Sequence, residues 1–331
     1  MRIFLTGATG FVGGHVARAL AAQGAELRLL VRKTSTLSHL EGIPGETTVG
    51  DLSQPESLRG ALAGCDAVMH VAADNRHWIP DPPAMYRANV EGTRELLRLA
   101  REAGVARFVY TSSVATMHFR TDGVAVDEDT PVALSDMVGH YKRSKFLAEQ
   151  EAIAAARSGQ SVIILNPTTP IGPNDAKPTP TGRIFVDFLN RRFPAYLDTG
   201  LNLVDVAEVA RIHVVALTRG EPGRRYILGG ENLTLKQILD RMAALTGLPS
   251  PRIRIPFAVA ALYALFEEGY TGRIRGREPR ATRDEVRMGR KKMFASSARA
   301  ERELGFRVLP TEPAMRASIE WFRAHGYVTR A

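Results

Sequence analysis

The sequence predicts an α/β fold in which a doubly wound parallel sheet carries a smaller C-terminal cap. Residues 1–165 alternate short apolar runs with helical patterns, and a glycine-rich turn directly follows the first apolar run. From residue 168 onward the alternation loosens, and prolines and glycines become frequent. A chain of 331 residues is long enough for one large domain with a smaller one attached. We therefore expect a sheet domain over 1–167, joined by segments returning from the C-terminal half, and a cap mainly over 168–331.

The predicted strands are short and apolar, and small or polar residues follow them. They cover 2–6, 26–31, 46–49, 67–73, 107–110, 161–165 and 225–228. Helical patterns follow the glycine turn to residue 21 and cover 55–63, 85–102, 140–157, 234–246, 257–267 and 311–325. In a doubly wound sheet the ligand crevice lies off the carboxyl ends of the strands. The residues that map to such ends are Gly7, Asp51, Ala72, Ser112, Ser113, Asn166 and Pro167.

Three glycines separate the first strand from the first helix. Gly7 permits a tight turn, Gly10 lets a pyrophosphate approach the backbone, and Gly13 lets the helix lie close to the strand. The helix N-terminus presents free N–H groups and a partial positive charge to the phosphates. A turn of this kind between an N-terminal strand and a helix predicts a dinucleotide-binding Rossmann fold.

The second strand ends with Val31, Arg32 and Lys33. An NAD site would place a carboxylate here on the ribose 2′-hydroxyl, whereas two cations favour the 2′-phosphate of NADP(H). The alternative is that both cations face solvent and that NAD is the cofactor. Asp51, after the third strand, is expected to accept the adenine amino group or, alternatively, to cap the helical segment 55–63.

Small Ala72 and Ala73 at the end of the fourth strand would let the cofactor pass close to the backbone. His70, within that apolar strand, is expected to be a core histidine with satisfied hydrogen bonds. Asn89 is polar within a helical pattern, and a buried side chain there must be hydrogen-bonded. No metal site is predicted.

The net charge of +9 comes partly from basic residues clustered over 273–292. This cluster predicts a solvated basic face or, alternatively, attraction of a phosphorylated ligand or peripheral contact with anionic lipid. Nucleic-acid binding is not expected, because no aromatic interleaving accompanies the cluster. The single cysteine, Cys65, excludes an internal disulfide, and the N-terminus lacks a signal-peptide layout, so we expect a cytoplasmic protein. The longest apolar run, 255–266, is too short to span a bilayer.

Tyr141 and Lys145 lie four residues apart in the helical pattern 140–157 and therefore share one helix face. A nearby ammonium favours the phenolate, which would let the tyrosine exchange a proton near neutral pH. Tyrosine and lysine at this spacing also occur on ordinary amphipathic helices, so the pair is informative only together with the motifs above.

These motifs together resemble an extended short-chain dehydrogenase/reductase along the whole chain. Within that superfamily the sequence is similar to the hopanoid-associated sugar epimerase group, near the dihydroflavonol-reductase-like enzymes. The segments that carry the resemblance are 110–116, 139–145, 166–173, 177–183 and 226–232. The resemblance implies that Ser113 holds the substrate oxygen, that Tyr141 passes the proton, and that Lys145 lowers the pKa of Tyr141 and binds the nicotinamide ribose. Ser112 is the alternative to Ser113.

The expected cofactor contacts combine the motif residues with those that the resemblance implies. They are Gly7, Thr9, Gly10, Phe11, Val12, Gly13, Arg32, Lys33, Asp51, Leu52, Val71, Ala72, Ala73, Asn89, Thr111, Tyr141, Lys145, Asn166, Thr168 and Thr169.

Two departures from the epimerase and dehydratase patterns bear on the reaction. Val114 and Ala115 stand where dehydratases have an Asp-Glu pair, so dehydration is not expected. Asn166-Pro167 and 171–173 (Ile-Gly-Pro) replace the Arg-Pro and Tyr-Gly-Pro of sugar-nucleotide enzymes. We expect NADP(H)-dependent hydride exchange between a carbonyl and a secondary alcohol. The alternatives are an NAD-dependent epimerase of a sugar or hopanoid-linked sugar and, third, a catalytically silent nucleotide-binding scaffold.

The sequence predicts a small-molecule substrate that is apolar or sugar-bearing, and dimers are common among similar enzymes. The predicted pocket residues are mostly apolar or aromatic. They are Trp78, Met117, Phe119, Phe185 and Tyr196.

Overall fold

The structure, a computed structural model, describes residues 1–76, 79 and 81–329. Trp78 lies outside the described residues. The strands are β1 (Arg2–Thr6), β2 (Glu26–Val31), β3 (Glu46–Val49), β4 (Ala67–His70), β5 (Arg107–Thr111), β6 (Val162–Pro167), β7 (Thr169–Ile171), β8 (Ala195–Tyr196), β9 (Gly200–Asp205), β10 (Arg225–Leu228), β11 (Glu231–Thr234) and β12 (Ile253–Arg254).

The α-helices cover the faces of the main sheet and build the cap. They are α1 (Phe11–Ala22), α2 (Pro82–Tyr86), α3 (Gly92–Glu102), α4 (Gly139–Arg157), α5 (Pro180–Leu189), α6 (Val206–Arg219), α7 (Leu235–Thr246), α8 (Phe257–Glu267), α9 (Arg283–Gly289), α10 (Ala298–Leu304) and α11 (Thr311–Ala324). Two π-helical turns cover Arg87–Glu91 and Glu268–Ile274. In the part of the chain that is described, no helix is both long and apolar enough to cross a membrane.

Seven parallel strands form the main sheet, in the order β10-β6-β5-β4-β1-β2-β3. The chain runs outward from β1 in one direction and from β4 in the other, so the topological switch point lies between these strands. The predicted Rossmann fold is therefore confirmed. β10 pairs with β6, and α6 packs on α1, so part of the C-terminal half returns to the sheet domain.

Alternating side chains of the buried strands supply two separate cores. Ile3 and Leu5 of β1 point to the face covered by α1 and α6, while Phe4 points to the face covered by α3 and α4. A third core lies under the cap, where Phe185 and Phe322 pack with their neighbours. The smaller sheets, β11-β9-β7 and β12-β8, belong to this region.

β4 ends at His70, three residues earlier than predicted. Gly7 has a φ of +82°, which turns the chain out of β1, and its carbonyl accepts from the Gly10 N–H. The Ala72 N–H therefore donates to the Thr6 side-chain oxygen at 3.1 Å in place of a backbone carbonyl. The segment that follows runs extended along the glycine turn.

Two predicted helices were wrong in part. Segment 55–63 forms only a 3₁₀ turn at Pro55–Leu58. Segment 85–102 is interrupted by the π-helical turn Arg87–Glu91, which carries the buried Asn89. Such a turn inserts one extra residue and re-aims the side chains at that level.

Gly13→Ala should lower the free energy of unfolding by about 3 kcal/mol or more, because the added methyl carbon would lie 2.0 Å from the Gly7 carbonyl oxygen. Gly289→Ala in α9 is the matched control, since its methyl carbon would meet its nearest heavy atom at 3.7 Å. Denaturant unfolding of both variants measures the difference. Equal midpoints would contradict close packing of α1 on the turn.

Candidate active site

The glycine turn leaves the first turn of α1 open at the switch point of the sheet. Gly10, the N-cap residue, has no side chain, and its N–H donates to the Gly7 carbonyl at 2.9 Å. The following first turn, which begins with Phe11 and Val12, contains no acidic residue. A methyl group on Gly10 would approach only the Gly7 oxygen, at 3.3 Å, so packing within the protein does not by itself demand glycine there. These features fit a pyrophosphate seated at the helix N-terminus.

Two exposed cations follow β2. The backbone N–H of Arg32 donates to Ser35 Oγ at 3.0 Å, and the side chains of Arg32 and Lys33 are exposed. Burial raises the pKa of the Asp74 carboxyl, but hydrogen bonds from Arg76 and the charges of Arg76 and Arg32 outweigh this effect, so the pKa is lowered overall. Arg32 thus faces the segment after β4, across the end of the crevice. The position suits a phosphate on the adenosine ribose.

Asp51 closes a local turn. Its Oδ1 accepts from both the N–H and the hydroxyl of Ser53, each at 2.8 Å. The 3₁₀ turn that follows is capped by Gln54 without a side-chain hydrogen bond. The alternative that Asp51 caps this segment is therefore wrong, while a contact with adenine stays a prediction.

Asn89 is fully engaged with protein groups. Its Oδ1 accepts from the Asp74 N–H at 2.7 Å, and its Nδ2 donates to the Asp74 carbonyl at 2.9 Å and to Ser144 Oγ at 3.0 Å. The Ser144 hydroxyl in turn donates to the Tyr141 carbonyl at 2.8 Å. Asn89 was predicted to contact the cofactor, but its side chain ties the segment after β4 to the helix that carries Tyr141.

The expected core histidine is confirmed. The Thr93 hydroxyl donates to the Asn89 carbonyl at 2.6 Å, so the His70 Nε2–H donates to Thr93 Oγ1 at 2.9 Å. The Thr6 hydroxyl then donates to His70 Nδ1 at 2.7 Å. Burial, together with the charge of Lys145, lowers the pKa of His70 to about 3, which keeps the ring neutral.

Lys145 is a buried cation, 2% exposed. Its Nζ donates to the Tyr110 hydroxyl and to the Thr111 carbonyl, each at 2.9 Å, and lies 4.6 Å from the centre of the Tyr110 ring. Burial lowers the pKa of Lys145 to about 7, while the charge of Glu149 opposes the shift. Since both hydrogen bonds go to β5, the influence of Lys145 on the Tyr141 phenol stays a prediction.

Tyr141 and Ser113 meet at the carboxyl end of β5. Burial raises the pKa of Tyr141, and its hydrogen bond with the Ser113 side chain offsets only part of this rise. Ser113 Oγ also accepts from the Ala115 N–H at 3.0 Å, which orients the serine at the start of a 3₁₀ turn. This contact favours Ser113 over its neighbour Ser112, whose side chain is buried.

Glu149 was missed at the sequence level. It lies one helical turn beyond Lys145 and is 0% exposed. Its Oε2 accepts from Asn166 Nδ2 at 2.6 Å and from the Thr116 hydroxyl at 3.1 Å, and its Oε1 pairs with Arg225 Nη1 at 3.2 Å. The signal was present, because Tyr141, Lys145 and Glu149 follow each other at four-residue intervals on one helix face.

Several predicted cofactor residues use their side chains inside the fold. The His213 Nδ1–H donates to the Val209 carbonyl at 2.8 Å, so the Thr111 hydroxyl donates to His213 Nε2 at 2.9 Å. The Thr168 hydroxyl donates to Asn202 Oδ1 at 2.8 Å. The remaining predicted residues lie at the glycine turn or near the strand ends. These are Thr9, Leu52, Val71, Ala72, Ala73 and Thr169.

The predicted pocket residues are mostly core residues. Met117 and Phe119 are buried with Val126 and Ile227, and Phe185 packs under the cap, which corrects the prediction that they line the pocket. Tyr196 is half-buried. Aromatic and apolar residues in a loop do not reveal from sequence alone whether they face a cavity or a core.

Lys145→Met should change the pH dependence of stability. The folded protein releases the Lys145 proton near pH 7, whereas a lysine in the unfolded chain has its ordinary pKa of 10.5 and keeps its proton until that pH. The unfolded state binds one more proton between these values, so the stability of the native protein rises with pH across this window. The stability of the variant relative to the native protein should therefore be greater at about pH 6 than at about pH 9, whatever constant cost the lost contacts of Lys145 add.

Denaturant unfolding at several pH values measures this difference. Lys236→Met is the control, because Lys236 lies on the surface and pairs with Asp240 at 2.5 Å. A constant difference between native protein and Lys145→Met across the pH range would mean that Lys145 is not a strained buried cation.

Comparison with known proteins agrees with this geometry. The model of the NAD dependent epimerase/dehydratase family matches residues 3–229. A Synechocystis protein that carries the provisional name dihydroflavonol 4-reductase is 44% identical, covering 98% of this chain and 95% of its own. Sterol demethylase protein B of Methylococcus capsulatus is 34% identical, covering 99% of this chain and 100% of its own. The crystal structure of gox2253 superimposes with a TM-score of 0.88 at 47% identity, covering 99% of each chain. The chain belongs to the NAD-dependent epimerase/dehydratase family of nicotinamide-dependent enzymes.

Proposed function

We propose that the protein is an NADP(H)-dependent carbonyl reductase, working reversibly on a secondary alcohol. The observation that carries the proposal is the hydrogen-bonded pair of Ser113 and Tyr141, with the buried Lys145 cation on the same helix face as the tyrosine. This set stands at the carboxyl ends of β5 and β6, beside the open glycine turn. When bound there, a nicotinamide dinucleotide donates a hydride to a carbonyl carbon or accepts one from the alcohol.

The residues of the chain handle the oxygen atom and its proton. Ser113 would donate a hydrogen bond to the carbonyl oxygen and hold it within reach of the Tyr141 phenol. Tyr141 would transfer its proton as negative charge develops on that oxygen. The Lys145 cation, held in a low-dielectric site, would stabilise the phenolate that remains.

Arg32 supports NADP(H) over NAD(H). It is exposed at the end of β2, where its guanidinium would pair with a 2′-phosphate, and no carboxylate stands at Val31, Arg32 or Lys33 to accept hydrogen bonds from a ribose 2′-hydroxyl. Net reduction consumes the cofactor, so it requires NADP(H) that exchanges with solution. An epimerase instead returns its hydride to the same substrate, with no net change of the cofactor.

Net reduction also agrees with the segment after Ser113. Val114 and Ala115 are apolar, and both are buried, so this segment supplies no acid for the loss of water. The two relatives carry names that refer to a dihydroflavonol and a sterol. We propose a ring ketone on a largely apolar molecule as the substrate class.

Tyr141→Phe should reduce the turnover of NADPH by a ketone about 10²- to 10⁴-fold, because the general acid is removed. Binding of NADP(H), measured by calorimetry, should persist. Tyr327→Phe is the control, since Tyr327 packs against the core under the cap and its hydroxyl donates to the Ala176 carbonyl. If the protein consumes no NADPH with any of a panel of apolar ring ketones and purifies with a tightly held NAD, the epimerase alternative is favoured.

Arg32→Asp should weaken NADP(H) binding by roughly 10- to 100-fold, the expected cost of losing one charge-assisted contact to a phosphate. NAD(H) binding should stay equal or improve, because the new carboxylate can accept from the ribose. Arg323→Asp on α11 makes the same change of charge at an exposed position away from the crevice. An unchanged ratio of the two affinities would remove Arg32 from the cofactor site.

A further inference from the structure

The cap carries a helix whose large apolar side chains point to solvent. In α8, Val259, Leu262 and Phe266 are 56%, 69% and 61% exposed, and they follow one another at helical spacing on one side. We define the apolar face by the exposed residues of α8 and of the π-helical turn after it. They are Val259, Leu262, Tyr263, Leu265, Phe266, Tyr270 and Ile274.

The orientation of α8 is the reverse of that of an ordinary surface helix. Its buried positions are Ala264, 0% exposed, and Glu267, 8% exposed. The Glu267 carboxylate fixes this orientation, since it accepts from the Arg280 N–H at 3.1 Å and from the Tyr263 hydroxyl at 3.2 Å. Surface helices normally bury their large apolar residues. A cluster of such residues left outside marks an interaction surface.

Aromatic rings extend this face. Phe266 and Tyr270 stack with centroids 5.5 Å apart and planes at 19°, and the Arg275 guanidinium lies 4.8 Å from the Tyr270 ring centre. A tyrosine with an arginine over its ring combines an apolar body with a polar tip. This combination suits the boundary between water and hydrocarbon.

Arginines border the apolar face. Three carboxylates around it are already paired: Glu268 with Arg283 at 2.7 Å, Glu278 with Arg183 at 2.8 Å, and Asp198 with Arg254 at 2.9 Å. Three exposed arginines of the π-helical turn and the residues directly after it form no ion pair with the described residues. They are Arg273, Arg275 and Arg277. Their charge complements an anionic surface.

We propose that the apolar face, with its border of arginines, docks the protein on the surface of an anionic lipid bilayer. The side chains of Leu262 and Phe266 would enter the boundary between headgroups and acyl chains, and the arginines would contact lipid phosphates. A second copy of the chain or a protein partner would match the apolar residues. The unpaired cations at the border, however, would repel an identical border across a two-fold axis.

The apolar face connects with the proposed active site through α9. A methyl group on Gly139, at the start of α4, would lie 3.2 Å from the Asp284 carboxylate of α9, and α8 packs on α9. Docking would thus bring lipid near the helix that carries Tyr141. Supply of an apolar ketone from the bilayer rests on the proposed function, whereas docking itself does not.

Cosedimentation of the full chain with vesicles tests the proposal. Phosphatidylcholine vesicles containing about one third phosphatidylglycerol should bind the protein, and pure phosphatidylcholine should bind it much less. Binding should weaken as salt shortens the range of the charge interactions. The double variant Leu262→Ser with Phe266→Ser should bind at least roughly tenfold more weakly. Arg273→Gln with Arg277→Gln should lose about fivefold for each charge.

Val308→Ser with Leu309→Ser is the matched control, because both residues are exposed apolar positions elsewhere, at 45% and 40%. Its binding should equal that of the native protein, and thermal unfolding should show that all variants fold. Equal vesicle binding by Leu262→Ser with Phe266→Ser would overturn the proposal. A second outcome would also overturn it: the native protein is a dimer in sedimentation velocity and does not bind vesicles, while the double variant is a monomer. A second copy of the chain would then cover the apolar face. NADPH turnover with a water-soluble ketone, unchanged in this variant, separates docking from the proposed function.

Discussion

The buried charge of Lys145 is the constraint on which the arrangement of the site depends. An ammonium group taken out of water is costly unless its donors and its charge are both satisfied. The Tyr110 hydroxyl and the Thr111 carbonyl accept two of its donors, and Glu149 supplies the opposite charge one helical turn away. The ammonium therefore draws α4 against the end of β5, and it places Tyr141 beside Ser113.

Glu149 extends this constraint to the edge of the sheet. Its carboxylate is itself buried, and Arg225 of β10, Asn166 of β6 and Thr116 all bind it. Removing one member of such a network leaves an unpaired buried charge, which costs more than the pair contributes. β10, which returns from the C-terminal half, thus holds α4 in place through the pair of Arg225 and Glu149. β10 and the helix that carries Tyr141 consequently belong to one unit, although the chain between them passes through the cap.

Neutral histidines join the strand ends on both sides of the crevice. Burial lowers the pKa of His70 to about 3 and that of His213 to about 4, so both rings keep one donor and one acceptor at physiological pH. His70 joins Thr6 to Thr93, and His213 joins Thr111 to α6. These rings therefore carry no charge across the range in which Lys145 titrates.

Local patterns account for what could be predicted from the sequence. β1 and β2 end where their apolar runs end, β3 ends before Gly50, and the turn from Gly7 to Gly13 is determined by backbone geometry within seven residues. The predictions were wrong or incomplete where the local structure depends on a group that is distant in sequence. Beyond the end of β4, the Ala72 N–H binds the Thr6 side chain in place of a backbone carbonyl. In the π-helical turn, the Asn89 side chain binds the backbone of Asp74, which lies fifteen residues away in sequence. The pair of Glu149 and Arg225 spans 76 residues, a separation at which neither residue type identifies its partner.

The orientation of α8 shows the same limit for a surface. The sequence contains an apolar run and a basic cluster, but the apolar run alone is as compatible with a buried helix as with an exposed one. Glu267 contributes to the rotation of the helix, because its carboxylate faces inward and accepts from the Arg280 N–H. With that rotation, Ala264 faces inward and Leu262 and Phe266 face outward. An apolar segment that could have been buried therefore forms an exposed face bordered by arginines.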